Sequence, residues 1–444
     1  MLSSRTLSKA SAINRAASVV ESTANTIISN SFKVLCIGAG TGGISLSATL
    51  SKKLGRNEVG IIEPAEYHYQ QPLWTLVGAG LKPFESTRSK MSDIIPERAT
   101  WLKQSAAKII PEKNQVVLGN GDVVSYEYLV IASGLELDLN AISGLSSAIG
   151  KDGVTTNYSP DYVTSTFKFL NEFKGGEAIF TMPATPVKCP GAPQKIAYLA
   201  EEIFRDNGVR ASTNVSYYTG IGKIFGIDKY ADSMWKVANG RNINVNLMHD
   251  LISIDSDKKQ ASFKVLPTNE IVTKKYDFIH VTPKMKPHSY LLNSGSNLTN
   301  EAGYVQVDNN TLRHTHYKNI YGIGDASSAP TSKTAAAACV QASVVKSNIY
   351  NLIRNTLTKE NEVLYNGYTS CPLITSKSSV VMAEFSGYTG KPIETFFYNQ
   401  AKESKFSYWV TSEFIPKVYW NALTSGAWNG PAPYRPLTNP LDSN

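Results

Sequence analysis

Apolar residues in this chain gather into short runs and helix-spaced stretches, an order that sets in abruptly at Phe32. The run Phe32-Lys-Val-Leu-Cys-Ile37 is short and largely apolar, the pattern of a strand buried on both faces of a parallel sheet. Helical spacing follows over Ile44–Leu54, and a second buried run, Val59–Ile62, ends at Glu63-Pro64. This is the strand–helix–strand unit of a nucleotide-binding half. Strand patterns recur near 99–110, 115–118 and 122–132, the last closing on Ile131-Ala-Ser-Gly134, and a helix is expected around 160–173. A second α/β unit starts at Glu177–Thr181 and continues through a helix near 193–206 and a strand at Asn214–Thr219. Further strand patterns cover 244–254, 260–265 and 270–282. Lys318–Asp325 reads as a strand running into a turn, followed by an Ala-rich helix over 333–355.

With 444 residues the chain is two to three times the usual domain size of about 150 residues. The pattern divides it into an N-terminal segment 1–31, a discontinuous first domain (32–150 and 300–360), a second domain (151–299) and a C-terminal region (361–444). Hydrophobic residues make up 42% and charged residues 18%, which excludes global disorder. No stretch reaches the roughly 18 consecutive apolar residues of a spanning helix. The net charge of +8 is spread thinly, without a dense Lys/Arg cluster among aromatics, so nucleic acid is not an expected partner. Residues 1–31 carry Arg5, Lys9 and Arg15 against Glu21 alone and are rich in Ser and Ala. A mitochondrial transit peptide has this composition; a plain N-terminal tail would share it.

Four cysteines, Cys36, Cys189, Cys339 and Cys371, show no Cys-x-x-Cys spacing, which argues against a disulfide scaffold and a zinc site. His314-Thr-His316 has no third ligand nearby, so no metal is expected. The chemistry begins instead with Gly38-Ala-Gly40-Thr-Gly42-Gly43, between the first strand and its helix. Glycines there permit a tight turn, close approach of backbone to a pyrophosphate, and helix–strand packing, with the phosphate on the helix N-terminus. Glu63 stands where an acid accepts hydrogen bonds from ribose hydroxyls. Asp325 ends a strand where it can accept bonds from a ribityl chain, and the helix after it can aim its positive end at a flavin ring. With Ile131–Gly134, these segments indicate FAD.

A nicotinamide site would need a second glycine fingerprint after Glu177–Thr181, but that strand runs into Met182-Pro-Ala-Thr-Pro. Gly220-Ile-Gly222-Lys-Ile-Phe-Gly226 follows the wrong strand with too long a spacing. Cys189 occupies a Pro-flanked loop before helix 193–206, beside Lys188 and near Lys195, and cations with a helix start favour the thiolate. Cys371, in Thr-Ser-Cys-Pro, reads as lying in another loop. Cys36 and Cys339 are expected to be inert core residues. The first helix lacks Cys-x-x-x-x-Cys, which removes a thioredoxin- or glutathione-reductase reading. Eleven aromatics between Phe396 and Tyr434, with Lys402, Lys405 and Lys417, suit a membrane interface. A tail packing a homodimer would use aromatics too.

These motifs resemble the two-dinucleotide-binding-domain flavoproteins. From Phe32 to about Arg435 the chain resembles the sulfide:quinone oxidoreductases among them, most closely over 69–80, 185–195, 330–337 and 367–373. The resemblance implies an α/β fold of two Rossmann-like FAD/NAD(P)-binding-type domains plus a C-terminal monotopic membrane-associating segment, at the mitochondrial inner-membrane surface. It implies that hydrogen sulfide opens a Cys189–Cys371 disulfide, that Cys371 carries the persulfide, and that Cys189 attacks the flavin. Electrons would pass through FAD to ubiquinone, and the sulfane sulfur to a small thiol, sulfite or cyanide. Carried over by position, Gly38, Gly40, Thr41, Gly42 and Gly43 cradle pyrophosphate and Glu63 binds ribose. Gln71 lies along the cofactor with Gly134 at the neighbouring strand end, and Ala106 offers backbone to adenine. Asp325 holds the ribityl chain, and Lys333 sits near the pyrimidine edge. Two other readings stay open at this point. A type II NADH:quinone oxidoreductase would leave Cys189 and Cys371 idle, and a non-catalytic flavin-fold binding protein would hold them too far apart.

Overall fold

The computed structural model describes residues 31–295 and 297–438. The expected transit segment, Ser31 apart, lies outside the described residues. Strand Ser31–Ile37 pairs in parallel with Val59–Ile62 on one side and Val123–Ile131 on the other. Thr100–Leu102 and Ile320–Gly322 extend the sheet, also in parallel. Ala106–Ile110 and Gln115–Leu118 add an antiparallel wing that completes seven strands. Val34, Leu35 and Cys36 are fully buried, as expected for a strand covered on both faces. Helices Thr41–Lys53 and Ala335–Ile353 pack against each other. The first of them starts ahead of the expected Ile44, because Gly42 and Gly43 lie inside its first turn. A Cβ on Gly43 would stand 1.9 Å from the Gly38 carbonyl oxygen, so glycine is what lets helix and strand meet.

The second sheet has five parallel strands, in the order Val154–Thr155, Phe278–His280, Gly176–Met182, Thr213–Thr219, Ile243–Leu247. Helix Ala192–Asp206 buries Ile196, Leu199, Ala200 and Ile203 along one stripe, the spacing of a helix face against a core. Strands His249–Asp255, Gln260–Val265 and Ile271–Lys275 form a separate antiparallel sheet. The stretch read as one strand over 244–254 is therefore two, split at Met248. That residue takes a left-handed φ of +59°, which turns the chain out of its strand.

Cys371 requires a correction. It lies within strand Tyr368–Ser376 of a hairpin with Ser379–Ser386, not in a loop. Pro372 suggested a break but is harmless here, because it pairs with Met382. The Met382 N–H and carbonyl both engage Gln400 instead, so the missing proline donor leaves no ladder partner stranded.

The C-terminal region runs as one helical stretch from Lys405 to Leu423, in which α turns alternate with π turns at Val410–Phe414 and Tyr419–Leu423. Val410, Tyr419 and Leu423 face inward, while Phe406, Trp409 and Phe414 are exposed. Among the described residues no helix is long and apolar enough to cross a membrane.

Candidate active site

Strand Gly176–Met182 delivers a Pro-rich loop to the start of helix Ala192–Asp206. Cys189 in that loop has φ +46°, a region few non-glycine residues adopt. Three hydrogen bonds hold it there. Its N–H donates to the Lys333 carbonyl at 2.7 Å, and its carbonyl accepts from the Ala192 N–H at 2.9 Å and the Tyr158 hydroxyl at 3.0 Å. From the hairpin, Cys371 Sγ approaches to 3.9 Å from Cys189 Sγ, and neither sulfur is bridged. Gly191 makes room for this, since a Cβ there would lie 2.5 Å from Cys371 Sγ.

The two thiols are driven apart in acidity. Cys189 is held well below the usual thiol range, first by the hydrogen bond from Cys371 and also by the Lys195 ammonium, whose Nζ lies 3.5 Å from its sulfur. Cys371 is pushed well above that range by the same bond and by burial. A second cationic group adjoins the pair, where Lys188 and Lys333 form a short bridge. Burial pulls both ammoniums down to about 8, with the Asp325 carboxylate opposing. Burial also raises Asp325, and Lys333 and Lys188 resist the rise. Lys333 Nζ donates to the Asp325 and Ser327 carbonyls at 2.8 and 3.1 Å and sits 4.2 Å over the Tyr304 ring. Cys36 and Cys339 are buried elsewhere with thiols pushed up to about 12, which leaves them unreactive.

The glycine turn lies where parallel strands end and the chain order reverses, the usual ligand crevice of such sheets. Gly38 takes φ +99° against the backbone of Ala132 and Ser133. Gly42 packs near Ile323 and Ala338. The Glu63 carboxylate accepts from the Ala39 and Ala65 N–H groups, each at 2.8 Å. Over Gly40 and Gly134 a Cβ would meet nothing within 4 Å. Thr41 opens a helix with no acid in its first turn. Open backbone beside a helix N-terminus free of acids fits a pyrophosphate.

The structure thus gathers Gly38, Gly40, Thr41, Gly42, Gly43, Glu63 and Gly134 at one end of the first sheet. It ties Asp325 and Lys333 to Cys189 through the Lys333–Cys189 bond. Gln71 is exposed at the start of the turn Gln71–Leu73, and Ala106 opens the antiparallel wing. Neither makes a hydrogen bond to these two groups among the described residues. The His314 pair proves to be a turn staple: Nδ1 accepts from the His316 and Tyr317 N–H groups, and Nε2 donates to the Leu298 carbonyl. Sequence reasoning missed Tyr158, Gly191, His68 and Tyr419. His68 alone left a signal, an imidazole inside the aromatic stretch Tyr67–Trp74.

A glycine turn on a parallel sheet, with one thiol delivered by a second α/β unit and its partner by a C-terminal hairpin, defines a flavin-linked oxidoreductase of the disulfide-reductase architecture. Residues 32–168 match the family model of the pyridine nucleotide-disulphide oxidoreductases. The chain is 41% identical over 410 residues to the mitochondrial sulfide:quinone oxidoreductase of Mus musculus, spanning 92% of this chain and 90% of that one. It is 40% identical over 406 residues to that of Dictyostelium discoideum, spanning 91% and 88%. It belongs to the sulfide:quinone oxidoreductase family, whose cofactor is FAD. The solved sulfide:quinone oxidoreductase of Aquifex aeolicus shares the fold, with a TM-score of 0.75 at 20% identity over 88% of this chain and 91% of that one.

Proposed function

We propose that this chain oxidises hydrosulfide at Cys189 and Cys371, passes the electrons through FAD to ubiquinone, and yields the sulfane sulfur to a small thiol, sulfite or cyanide. The observation that carries this reading is the 3.9 Å approach of the two sulfurs with Lys195 Nζ 3.5 Å from one of them. In thiol–disulfide exchange the thiol of lower pKa is the better leaving group. Hydrosulfide therefore attacks Cys371 in the oxidised pair. A bond forms from the sulfide sulfur to Cys371 Sγ, the Cys371–Cys189 bond breaks, and its electron pair stays on Cys189 as a thiolate beside Lys195. The acceptor nucleophile then takes the outer sulfur and leaves Cys371 as a thiolate. Remaking the disulfide releases two electrons. FAD, when bound, supplies the two-electron acceptor that links this pair to the quinone.

Gly38, Gly40, Thr41, Gly42 and Gly43 would hold the pyrophosphate and Glu63 the adenosine ribose, with Gln71, Ala106 and Gly134 along the same cofactor. Asp325 would hold the ribityl chain, and Lys333 would place a cation at the pyrimidine edge. Phe406, Trp409 and Phe414, with Phe397 at 75% exposure, would seat the chain peripherally on the mitochondrial inner membrane, where aromatic rings enter the headgroup boundary. Packing of two copies through this face is the competing outcome, and vesicle flotation separates the two.

The test is anaerobic. Sulfide added to the purified protein should bleach the visible flavin band, and a ubiquinone analogue should restore it. In Cys189→Ser and Cys371→Ser the band should persist but no longer bleach. Bleaching by NADH and not by sulfide would sink the proposal.

A further inference from the structure

Residues 419–430 fold back onto the opposite end of the chain. Tyr419 is 3% exposed, and its hydroxyl lies 2.6 Å from His68 Nε2 and 3.0 Å from Thr41 Oγ1. His68 is as deeply buried, with Nδ1 2.8 Å from the Ala39 carbonyl oxygen. A carbonyl only accepts, so Nδ1 carries the imidazole proton. Burial lowers the ring's pKa to about 4 and keeps it neutral, so Nε2 presents a lone pair and the Tyr419 hydroxyl donates to it. Thr41 then donates to Tyr419. The outcome is one directed chain, Thr41 to Tyr419 to His68 to Ala39, that begins and ends on the glycine turn. Ala39 is held from its other side as well, through its N–H on Glu63.

A second set of bonds fastens the segment without touching the turn. Thr49 Oγ1 and Lys346 Nζ donate to the Gly426 carbonyl at 2.9 and 3.2 Å, and Lys52 Nζ donates to the Ser425 carbonyl at 2.8 Å. The Tyr419 ring itself packs with Cys339 and Leu423, so ring and hydroxyl have separable roles.

We propose that Tyr419 and His68 are positioning residues for the cofactor: they hold Ala39 and Thr41 in the conformation that receives the pyrophosphate, and so slow the escape of FAD. This rests on the reading that FAD occupies the glycine turn. Tyr419→Phe keeps the ring, deletes both hydroxyl bonds, and strands His68 Nε2 without a donor, which is the costly way to lose a buried hydrogen bond.

The experiment dilutes purified holoenzyme and follows release of FAD by the rise of free-flavin fluorescence, with thermal unfolding measured alongside. Tyr419→Phe should release FAD about tenfold faster, the factor that corresponds to ~1.4 kcal/mol. His68→Asn, whose amide still reaches the Ala39 carbonyl but not Tyr419, should accelerate release in the same direction and serves if Tyr419→Phe folds poorly. Thr49→Val, which removes the hydroxyl's bonds to Gly426, Ser45 and Lys346 but none to the glycine turn, should leave release unchanged. Unaltered release in both Tyr419→Phe and His68→Asn overturns the proposal, as does equal acceleration by Thr49→Val, which would assign the effect to general loosening. An unsubstituted protein that purifies without FAD would instead remove the reading beneath it.

Discussion

The glycine turn and the cysteine centre both depend on atoms brought unusually close, yet they are put together in opposite ways. The turn is made by contiguous backbone: Gly38 to Gly43 follow one strand and open one helix, and most of what they offer a ligand is N–H groups. The centre is made by side chains from distant places. Cys189 and Cys371 are 182 residues apart, one in a loop and the other in a hairpin strand, with Lys195 contributed by a helix. A site made from local backbone is specified by a short spacing. A site made from packed side chains is specified by everything that sets their distance.

Substitutions test how separate the two are. The largest effect is expected at the cysteines. Cys189→Ser or Cys371→Ser should lower sulfide-dependent quinone reduction by on the order of a thousandfold or more, as losing a member of a covalent catalytic unit does, with the flavin spectrum intact. Loss of flavin together with activity would mean that the two regions are one. The mirror experiment is Gly40→Val. The backbone at Gly40 is extended, φ −67° and ψ −171°, and the space beyond it is open, so unfolding of the cofactor-free protein should change by less than about 0.5 kcal/mol. Bound FAD per chain should nevertheless collapse, because the added side chain would occupy the approach proposed for the pyrophosphate. A full complement of FAD would show that the cofactor sits elsewhere.

Gly191→Ala comes next. Its methyl would meet Cys371 Sγ at 2.5 Å, and overpacking of this kind costs about 1–3 kcal/mol, read as a lowered midpoint in urea. An unchanged midpoint would mean that the hairpin yields freely. Lys195→Met should then raise the pKa of Cys189 by roughly one unit, because it removes a cation that favours the thiolate. The iodoacetamide reaction of Cys189, followed in a Cys371→Ser background, should shift its pH profile to the alkaline side and slow at neutral pH. The smallest effect belongs to the exposed face. Phe406→Ser with Trp409→Ser should weaken flotation with anionic vesicles a few-fold, as apolar area leaves the interface, while the flavin spectrum stays constant.

The same contrast explains what could be read from the chain. Both α/β units were legible because short strand-like runs alternate with helix-spaced stretches, and the glycine turn was legible as a spacing. The extent of the hairpin was not, since Pro372 reads as a strand breaker until its partner Met382 is seen to bond elsewhere. Gly191 was silent because its requirement is imposed by Cys371 across space. Tyr419 was silent for the same reason, and His68 left only its place among the aromatics of Tyr67–Trp74, since what each does is defined by the other across space.

Thr41 and Tyr419 are 378 residues apart, and chains are made from the N-terminus onward, with domains folding in that order. The glycine turn therefore exists long before the tyrosine that fastens it has been synthesised. A chain stopped ahead of Tyr419 would already contain every strand of both large sheets and both cysteines, yet would lack the clasp on its cofactor. On the proposed role of Tyr419, firm retention of flavin would thus be acquired only after both large sheets and both cysteines have been made.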